Sequence, residues 1–179
     1  NNIEVIDSPK TINLNGFDVC MVPWICAENY EESIDVMKNT PATLCMGHFE
    51  IAGFAMYRGM ESHEGLSKET FDKFDMVFSG HYHHRSNDNH IYYLGNPYEL
   101  TWQDHNDPRG FHLFDLENRQ LGFIQNPYTM FTRIEYNDKE VEPLDLTSLD
   151  LNGKYVKLIV VNKTDYYKFD KFTQLLYNK

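Results

Sequence analysis

Two Gly-His pairs in the sequence each follow a short apolar run closely. Gly-His-Tyr-His, which carries His81 and His83, follows Met76–Ser79, and Gly-His ending in His48 follows Ala42–Met46. Residues two apart in an extended segment point the same way, so the first two imidazoles share one side. If the two apolar runs are neighbouring strands, the third imidazole joins them at one edge of a sheet. Because neutral imidazole is a common metal ligand, the three histidines predict a site for divalent metal ions.

The alternative is a histidine-rich surface loop, since His84 and His90 lie close by in the sequence. Other histidines have an ordinary explanation as exposed or hydrogen-bonded side chains: His63, His90, His105 and His112. Cys20 and Cys45 lie inside apolar runs, and we expect them in the core rather than on a metal. No other group of residues competes with the three histidines as a predicted metal site.

Strands and helices alternate around these histidines, which predicts the α/β (α+β) class. An Asn15-Gly16 turn predicts a hairpin into the buried strand Phe17–Val22, and a helix over about 28–38 follows. A capping serine, Ser67, predicts a short helix as far as Phe74. The further predicted strands are Ile3–Ile6, Thr11–Leu14, Ile91–Leu94, Gly110–Leu116, Gln120–Gln125 and Tyr155–Val161, with a last helix over Tyr167–Tyr177.

Composition excludes several classes of protein. The chain has 179 residues, of which 41% are hydrophobic, so it can bury the core of one domain or slightly more. Disordered and low-complexity chains are excluded, and no apolar run reaches the roughly 20 residues that cross a membrane. Three cysteines without close pairs argue against a disulfide framework and favour a reducing compartment. We therefore expect a cytoplasmic protein.

Charge divides the chain into two parts. The formal net charge is −11, but residues 151–179 carry six lysines against two aspartates. We therefore predict a first domain over 1–137, an acidic linker over 138–150 and a basic segment over 151–179. The basic segment is either a solvated face or a surface for phosphate groups. Its candidate phosphate-binding residues, which would contact DNA if the chain acts on it, are Lys154, Lys157, Lys168 and Lys171.

The ordered motifs resemble a known family. Gly47-His48-Phe49-Glu50, Gly80-His81-Tyr82-His83 and Leu94-Gly95-Asn96-Pro97 resemble the later motifs of the calcineurin-like metallophosphoesterases. Within that superfamily the chain is most similar to the SbcD-like double-strand-break repair nucleases. Val22-Pro23-Trp24 and the segment 106–111 resemble in particular the recombination endonuclease subunits of T-even-type phages.

The resemblance implies a fold, a metal centre and a reaction. The fold would be the second half of a four-layered α/β/β/α sandwich, followed by the start of a small α/β domain that caps DNA. His48 and His81 would hold one divalent ion and His83 a second, with manganese expected and magnesium possible. Such a pair of ions hydrolyses phosphodiester bonds. The function implied is a DNA exo/endonuclease subunit for recombination and double-strand-break repair.

The earlier motifs of the family are absent from this sequence: Asp-x-His, Gly-Asp-x-x-Asp and Gly-Asn-His-Asp. We therefore expect the C-terminal part of such a nuclease, with no catalytic residue assigned beyond the metal ligands and little activity on its own. The resemblance implies three partners: double-stranded DNA ends, an SbcC-type coiled-coil ABC ATPase, and a second copy joined through the absent N-terminal part. Two alternatives stay open, namely another calcineurin-like phosphoesterase, or a non-catalytic fragment that docks an ATPase.

Overall fold

The computed structural model describes residues 3–139 and 146–178, which form two compact units divided between Asn126 and Pro127. The strands of the first unit are β1 Lys10–Leu14, β2 Phe17–Val22, β3 Leu44–Gly47, β4 Ala55–Tyr57, β5 Met60–Glu61, β6 Met76–Ser79, β7 Ser86–Asn87, β8 Ile91–Tyr93, β9 Gly110–Asp115 and β10 Gln120–Gln125. Its helix is α1, Tyr30–Asn39, and short 3₁₀ turns cover Lys68–Phe71 and Trp102–Asp104. The second unit contains β11 Phe131–Asn137, a 3₁₀ turn at Leu146–Ser148, β12 Tyr155–Asn162 and α2 Tyr166–Tyr177.

A six-stranded sheet in the order β1-β2-β3-β6-β8-β7 organises the first unit. The four inner strands are parallel, and the two outer strands run antiparallel to their neighbours. Consecutive parallel strands need a crossover, and α1 supplies the one between β2 and β3. At one edge of the sheet Val22 pairs with Gly47, and Gly47 pairs with Ser79. Both predicted Gly-His strand ends are therefore neighbours, as the sequence requires for a shared site.

Successive side chains of a strand point to opposite faces, so this sheet has apolar side chains on both. Both faces are covered. On one face the buried residues Cys20, Cys45 and Val77 pack with Met37 of α1. On the other face Val19, Leu44 and Phe78 pack against side chains of the antiparallel β9–β10 hairpin, including Phe114. The first unit thus stacks a helix, a sheet and a hairpin, and the predicted α/β class is confirmed.

The second unit pairs β11 with β12 in parallel. Helix α2 joins them through Tyr136, whose ring lies 5.1 Å from that of Phe169 and 5.0 Å from that of Phe172. Asp165 caps α2 by accepting a 3.0 Å hydrogen bond from the Lys168 backbone. This pairing assigns 131–137 to the second unit, whereas the charge pattern of the sequence places them in the first domain. Part of the predicted linker 138–150 lies outside the described residues.

The secondary structure differs from the sequence prediction in several segments. The predicted strand Ile3–Ile6 is wrong: it pairs with no described strand, and Ile3 and Val5 are 84% and 76% exposed. The helix predicted after Ser67 is only a 3₁₀ turn. Strand β11 was not predicted from the sequence. No helix in the ranges 3–139 and 146–178 is long and apolar enough to span a membrane.

Candidate metal centre at the strand ends

Three adjacent parallel strands bring aromatic rings together just past their carboxyl ends. Trp24 follows β2, His48 follows β3 and His81 follows β6. The imidazoles of His48 and His81 lie 4.9 Å apart between centroids, with their planes at 81°. The Trp24 ring lies 5.4 Å from the first and 6.0 Å from the second. These side chains form one cluster. We call His48 and His81 the strand-end pair, and Trp24 lies at its rim.

The local sequence fixes His48 on both sides. A Cβ atom at Gly47 would lie 2.4 Å from the Phe49 ring and 2.6 Å from the Val22 carbonyl oxygen, so only glycine fits there. The Phe49 backbone is held by the Ser79 hydroxyl, which accepts from its N–H at 3.0 Å and donates to its carbonyl at 2.9 Å. The Tyr93 hydroxyl donates to that carbonyl as well, also at 2.9 Å. His48 is thus anchored between two constrained residues.

The spacing of the strand-end pair suits a shared cation. Two imidazoles bound to one ion by bonds of about 2.1 Å, at right or tetrahedral angles, have centroids roughly 4.6–5.3 Å apart. The observed 4.9 Å falls within that interval. The buried Nδ1 of His81 has no hydrogen-bond partner among the described residues. Beside His48, Gly80 leaves space, because a Cβ there would lie 3.8 Å from the His48 Nδ1. The spacing therefore matches that of two ligands of one divalent ion.

Electrostatics also favour ligation by His48. Burial lowers the pKa of His48, and the neighbouring His81 lowers it further. A histidine with a lowered pKa is neutral at physiological pH, and the neutral ring keeps the lone pair that a metal ion binds. Trp24 is 66% exposed, so the rim of the pair is open to a ligand from solvent.

His83 lies in a different neighbourhood. Its Nδ1 is 3.6 Å from Oδ1 of Asp104, a carboxylate that is only 1% exposed. Asp104 accepts hydrogen bonds from the backbone N–H groups of Leu100 and Thr101, at 2.8 and 2.9 Å. Its charge is balanced by Arg109, whose Nη2 lies at 2.9 Å. The carboxylate is therefore rigidly placed beside the imidazole, but Nδ1 of His83 forms no hydrogen bond with it or with any other described residue.

Arg109 links this carboxylate to the next histidine. Its Nη2 also lies 2.8 Å from Oδ2 of Asp107, and its Nη1 donates to the His83 carbonyl oxygen. The same Oδ2 of Asp107 lies 2.8 Å from Nδ1 of His84. Arg109 is only 5% exposed. We call these five residues the arginine network: His83, His84, Asp104, Asp107 and Arg109.

The structure thus brings together two of the three predicted ligands. His48 and His81 are adjacent, whereas His83 faces Asp104. Within the described residues no three His, Cys, Asp or Glu side chains are grouped to hold one ion. The assignment of ions to all three histidines stays a prediction. The other histidines have separate contacts: for example, His90 Nε2 lies 2.8 Å from the Phe74 carbonyl oxygen.

The predicted DNA-binding lysines lie in the second unit. Lys154 precedes β12, Lys157 lies on it, and both Lys168 and Lys171 are exposed on α2. The Lys171 ammonium lies 4.5 Å from the centroid of the exposed Tyr167 ring. Basic and aromatic side chains thus share the surface of this helix.

Sequence reasoning missed the role of the acidic loop before β9. Asp104 and Asp107 imitate an earlier family motif but come after Gly-His-x-His, so the sequence alone gives no reason to connect them with it. Their partner Arg109, only two residues after Asp107, was the available signal. Acidic and basic residues this close in a loop commonly pair, although the sequence does not show that the pair is buried.

The comparisons with known proteins agree with the motifs. The chain is 39% identical over 151 residues to exonuclease subunit 1 of Enterobacteria phage T4, covering 84% of this chain and 44% of that protein. It is 26% identical over 151 residues to the SbcD subunit of the nuclease SbcCD of Staphylococcus epidermidis, covering 80% of this chain and 37% of that protein. No family model matches the chain.

The chain is therefore a homologue of SbcD-like nuclease subunits, related to a phage exonuclease subunit. The resemblance seen in its motifs is confirmed. The chain spans less than half the length of either relative: 44% of the phage protein and 37% of the S. epidermidis protein.

Proposed function

We propose that this chain forms part of a metal-dependent DNA nuclease of recombination and double-strand-break repair, in which His48 and His81 share one divalent ion. The observation that carries the proposal is their juxtaposition, at 4.9 Å between centroids, just past two neighbouring parallel strands. The identity to a phage exonuclease subunit supports the reaction class. His83 would serve a second ion.

The ions we propose are Mn²⁺ or, in its place, Mg²⁺. Two bound cations would neutralise charge on the phosphodiester and lower the pKa of a water molecule. The chain's own contribution is to supply neutral imidazoles at fixed positions. The lowered pKa of His48 keeps its lone pair available, and the buried carboxylate of Asp104 lies 3.6 Å from the His83 ring on its Nδ1 side. Nothing in this chain is proposed as a general acid or base.

Partners follow from the relatives and from charge. The S. epidermidis relative is by name one subunit of a two-part nuclease, which supports an SbcC-type ATPase as partner of this protein. The exposed lysines of the second unit support contacts to the phosphates of double-stranded DNA ends, independent of base sequence. A homodimer is also part of this proposal.

A chimera tests the reaction. The stretch of the T4 subunit homologous to this chain would be replaced by this chain's residues and the product assayed on a labelled DNA duplex with Mn²⁺. We expect cleavage, and we expect His48→Ala, His81→Ala and His83→Ala each to reduce it by orders of magnitude. His63→Ala is the matched control. A folded, active chimera that is insensitive to the three ligand variants contradicts the proposal.

The same chimera tests the DNA surface. Replacing Lys154, Lys157, Lys168 and Lys171 with Gln should weaken duplex binding, and the slope of its salt dependence should fall by up to roughly 0.9 for each phosphate that is no longer neutralised. Hydrolysis of a small phosphodiester should persist, because it needs the metal site alone. An unchanged salt slope would show that these lysines only solubilise the protein.

A further inference from the structure

A cavity of about 200 Å³ lies in the first unit between edge strand β7 and the β9–β10 hairpin. Its walls carry Arg85, Ser86, His112 and Arg119, together with aromatic rings that include Phe123. No Asp or Glu is among the residues that line it. The chain has 27 acidic residues against 16 basic ones, so the charge of the cavity lining is opposite in sign to the net charge of the chain. The cavity has the chemistry of an anion site.

Neither arginine of the cavity forms an ion pair with the described residues. In the described part of the chain, no carboxylate lies within ion-pair distance of Arg85 or Arg119, whereas Arg109 contacts two. The Arg85 guanidinium lies 3.9 Å from the Phe123 ring centroid, a cation–π contact. Arg119 Nη2 donates to the Thr43 hydroxyl at 3.1 Å. Both guanidinium groups are thus placed by uncharged contacts.

Polar atoms beside the cavity lack partners. The Ser86 hydroxyl and Nη1 of Arg119 are buried and form no hydrogen bond within the described residues. Buried polar groups are normally paired, so both atoms lack an acceptor that the described residues do not supply. Burial lowers the pKa of His112, and the Arg85 charge lowers it further, which is consistent with a positive potential in this region.

The backbone at Arg119 supplies an independent observation. Its φ is +56°, in the left-handed region that favours glycine or asparagine over arginine. The residue closes the hairpin turn between β9 and β10, where either alternative would fit with less strain. Strained conformations persist at positions where the side chain has a role. Arg119 therefore lines the cavity although its backbone conformation favours glycine or asparagine.

From this geometry we propose that the cavity is a binding site for a phosphate group, held by Arg85 and Arg119 with the Ser86 hydroxyl as a further donor. Guanidinium groups bind the oxygens of phosphate with paired hydrogen bonds. The group comes either as inorganic phosphate or as the terminal phosphate of a nucleotide or DNA strand. This site is separate from the strand-end pair, and the proposal does not depend on metal binding.

Isothermal titration of the complete chain in EDTA tests the proposal, with inorganic phosphate as the first probe. Further titrations use deoxyadenosine 5′-monophosphate and a short oligonucleotide with and without a 5′-phosphate. We expect saturable binding at one site, weakened at least about tenfold by Arg85→Gln and by Arg119→Asn. Arg58→Gln is the matched control, because it removes the same charge from an exposed turn outside the cavity. His81→Ala should bind phosphate normally.

The probes distinguish the source of the phosphate. Tighter binding of the nucleotide or of the phosphorylated oligonucleotide identifies a terminal phosphate, and equal binding of all phosphate probes identifies the free anion. Arg119→Asn should melt no lower than the parent chain, since asparagine suits the positive φ at this position. Arg85→Gln gives a second test, at an exposed position. Absence of saturable phosphate binding, or equal weakening by Arg58→Gln, would overturn the proposal.

Discussion

The strand-end pair and the arginine network lie close in sequence but differ in the polar partners of their side chains. His81 belongs to the first and has a buried nitrogen without a partner among the described residues; His84, three residues later, has its Nδ1 2.8 Å from a carboxylate. Neither histidine of the pair has a described carboxylate within ion-pair distance, whereas Arg109 joins the two carboxylates of the network. In the network, Nδ1 of His83 and Nε of Arg109 have no hydrogen-bond partner among the described residues. Arg109 therefore gives the network an internal ionic support that the pair lacks among the described residues.

His83 connects the two regions. Its carbonyl oxygen accepts from Arg109 and its ring faces Asp104, so the network fixes a histidine that the sequence assigns to a metal. Gly95 packs closely against the same carbonyl oxygen: a Cβ atom at this position would lie only 2.9 Å from it. The network therefore acts as a positioning device, and its loss should be felt first in stability.

Arg109→Ala should have the largest effect on folding. Removing one partner of a buried ionic network leaves Asp104 and Asp107 without their cation and costs about 3–5 kcal/mol in the free energy of unfolding. Urea denaturation of the variant and of Arg58→Ala, an exposed control, measures this. By contrast, His81→Ala should change stability by less than about 1 kcal/mol, because its buried Nδ1 has no described partner to lose. Equal losses in both variants would remove the distinction between the two regions.

His84→Ala should have an intermediate effect. It removes the contact with Asp107 but leaves that carboxylate paired with Arg109, so we expect a loss of about 1 kcal/mol. The matched control is His63→Ala, for which no loss is expected. A loss as large as that of Arg109→Ala would show that His84 rather than the arginine holds the network together.

The smallest effect is the pH dependence of His112, which lies outside both regions. Its pKa is lowered below 6.5, first by burial and then by Arg85. The unfolded chain therefore binds more protons than the folded one between the lowered pKa and 6.5, so stability falls as the pH drops through that interval and is level above it. His112→Gln should flatten this dependence. An NMR titration that gives a pKa above 6.5 for this ring contradicts the prediction.

The sequence predicted the strand-end pair because the signal was local. Apolar runs ending in Gly-His identify buried parallel strands, and their adjacency in the sheet then brings His48 and His81 together. The arginine network could not be predicted, because it joins a loop before β9 to the residues after β6 through side-chain contacts. Strand β11 was missed since its partner, β12, lies beyond a long connection. Non-local pairing of this kind leaves no periodic signal in a single sequence.

Titration of the complete chain with Mn²⁺ tests the central claim that His48 and His81 form a metal site. Isothermal titration near pH 7.5 should show saturable binding that is weakened by at least about tenfold in His48→Ala and in His81→Ala. His63→Ala should bind as the parent does, and the melting temperatures of all three variants should stay within a few degrees. Mn²⁺ binding that survives the loss of both strand-end histidines would contradict the account.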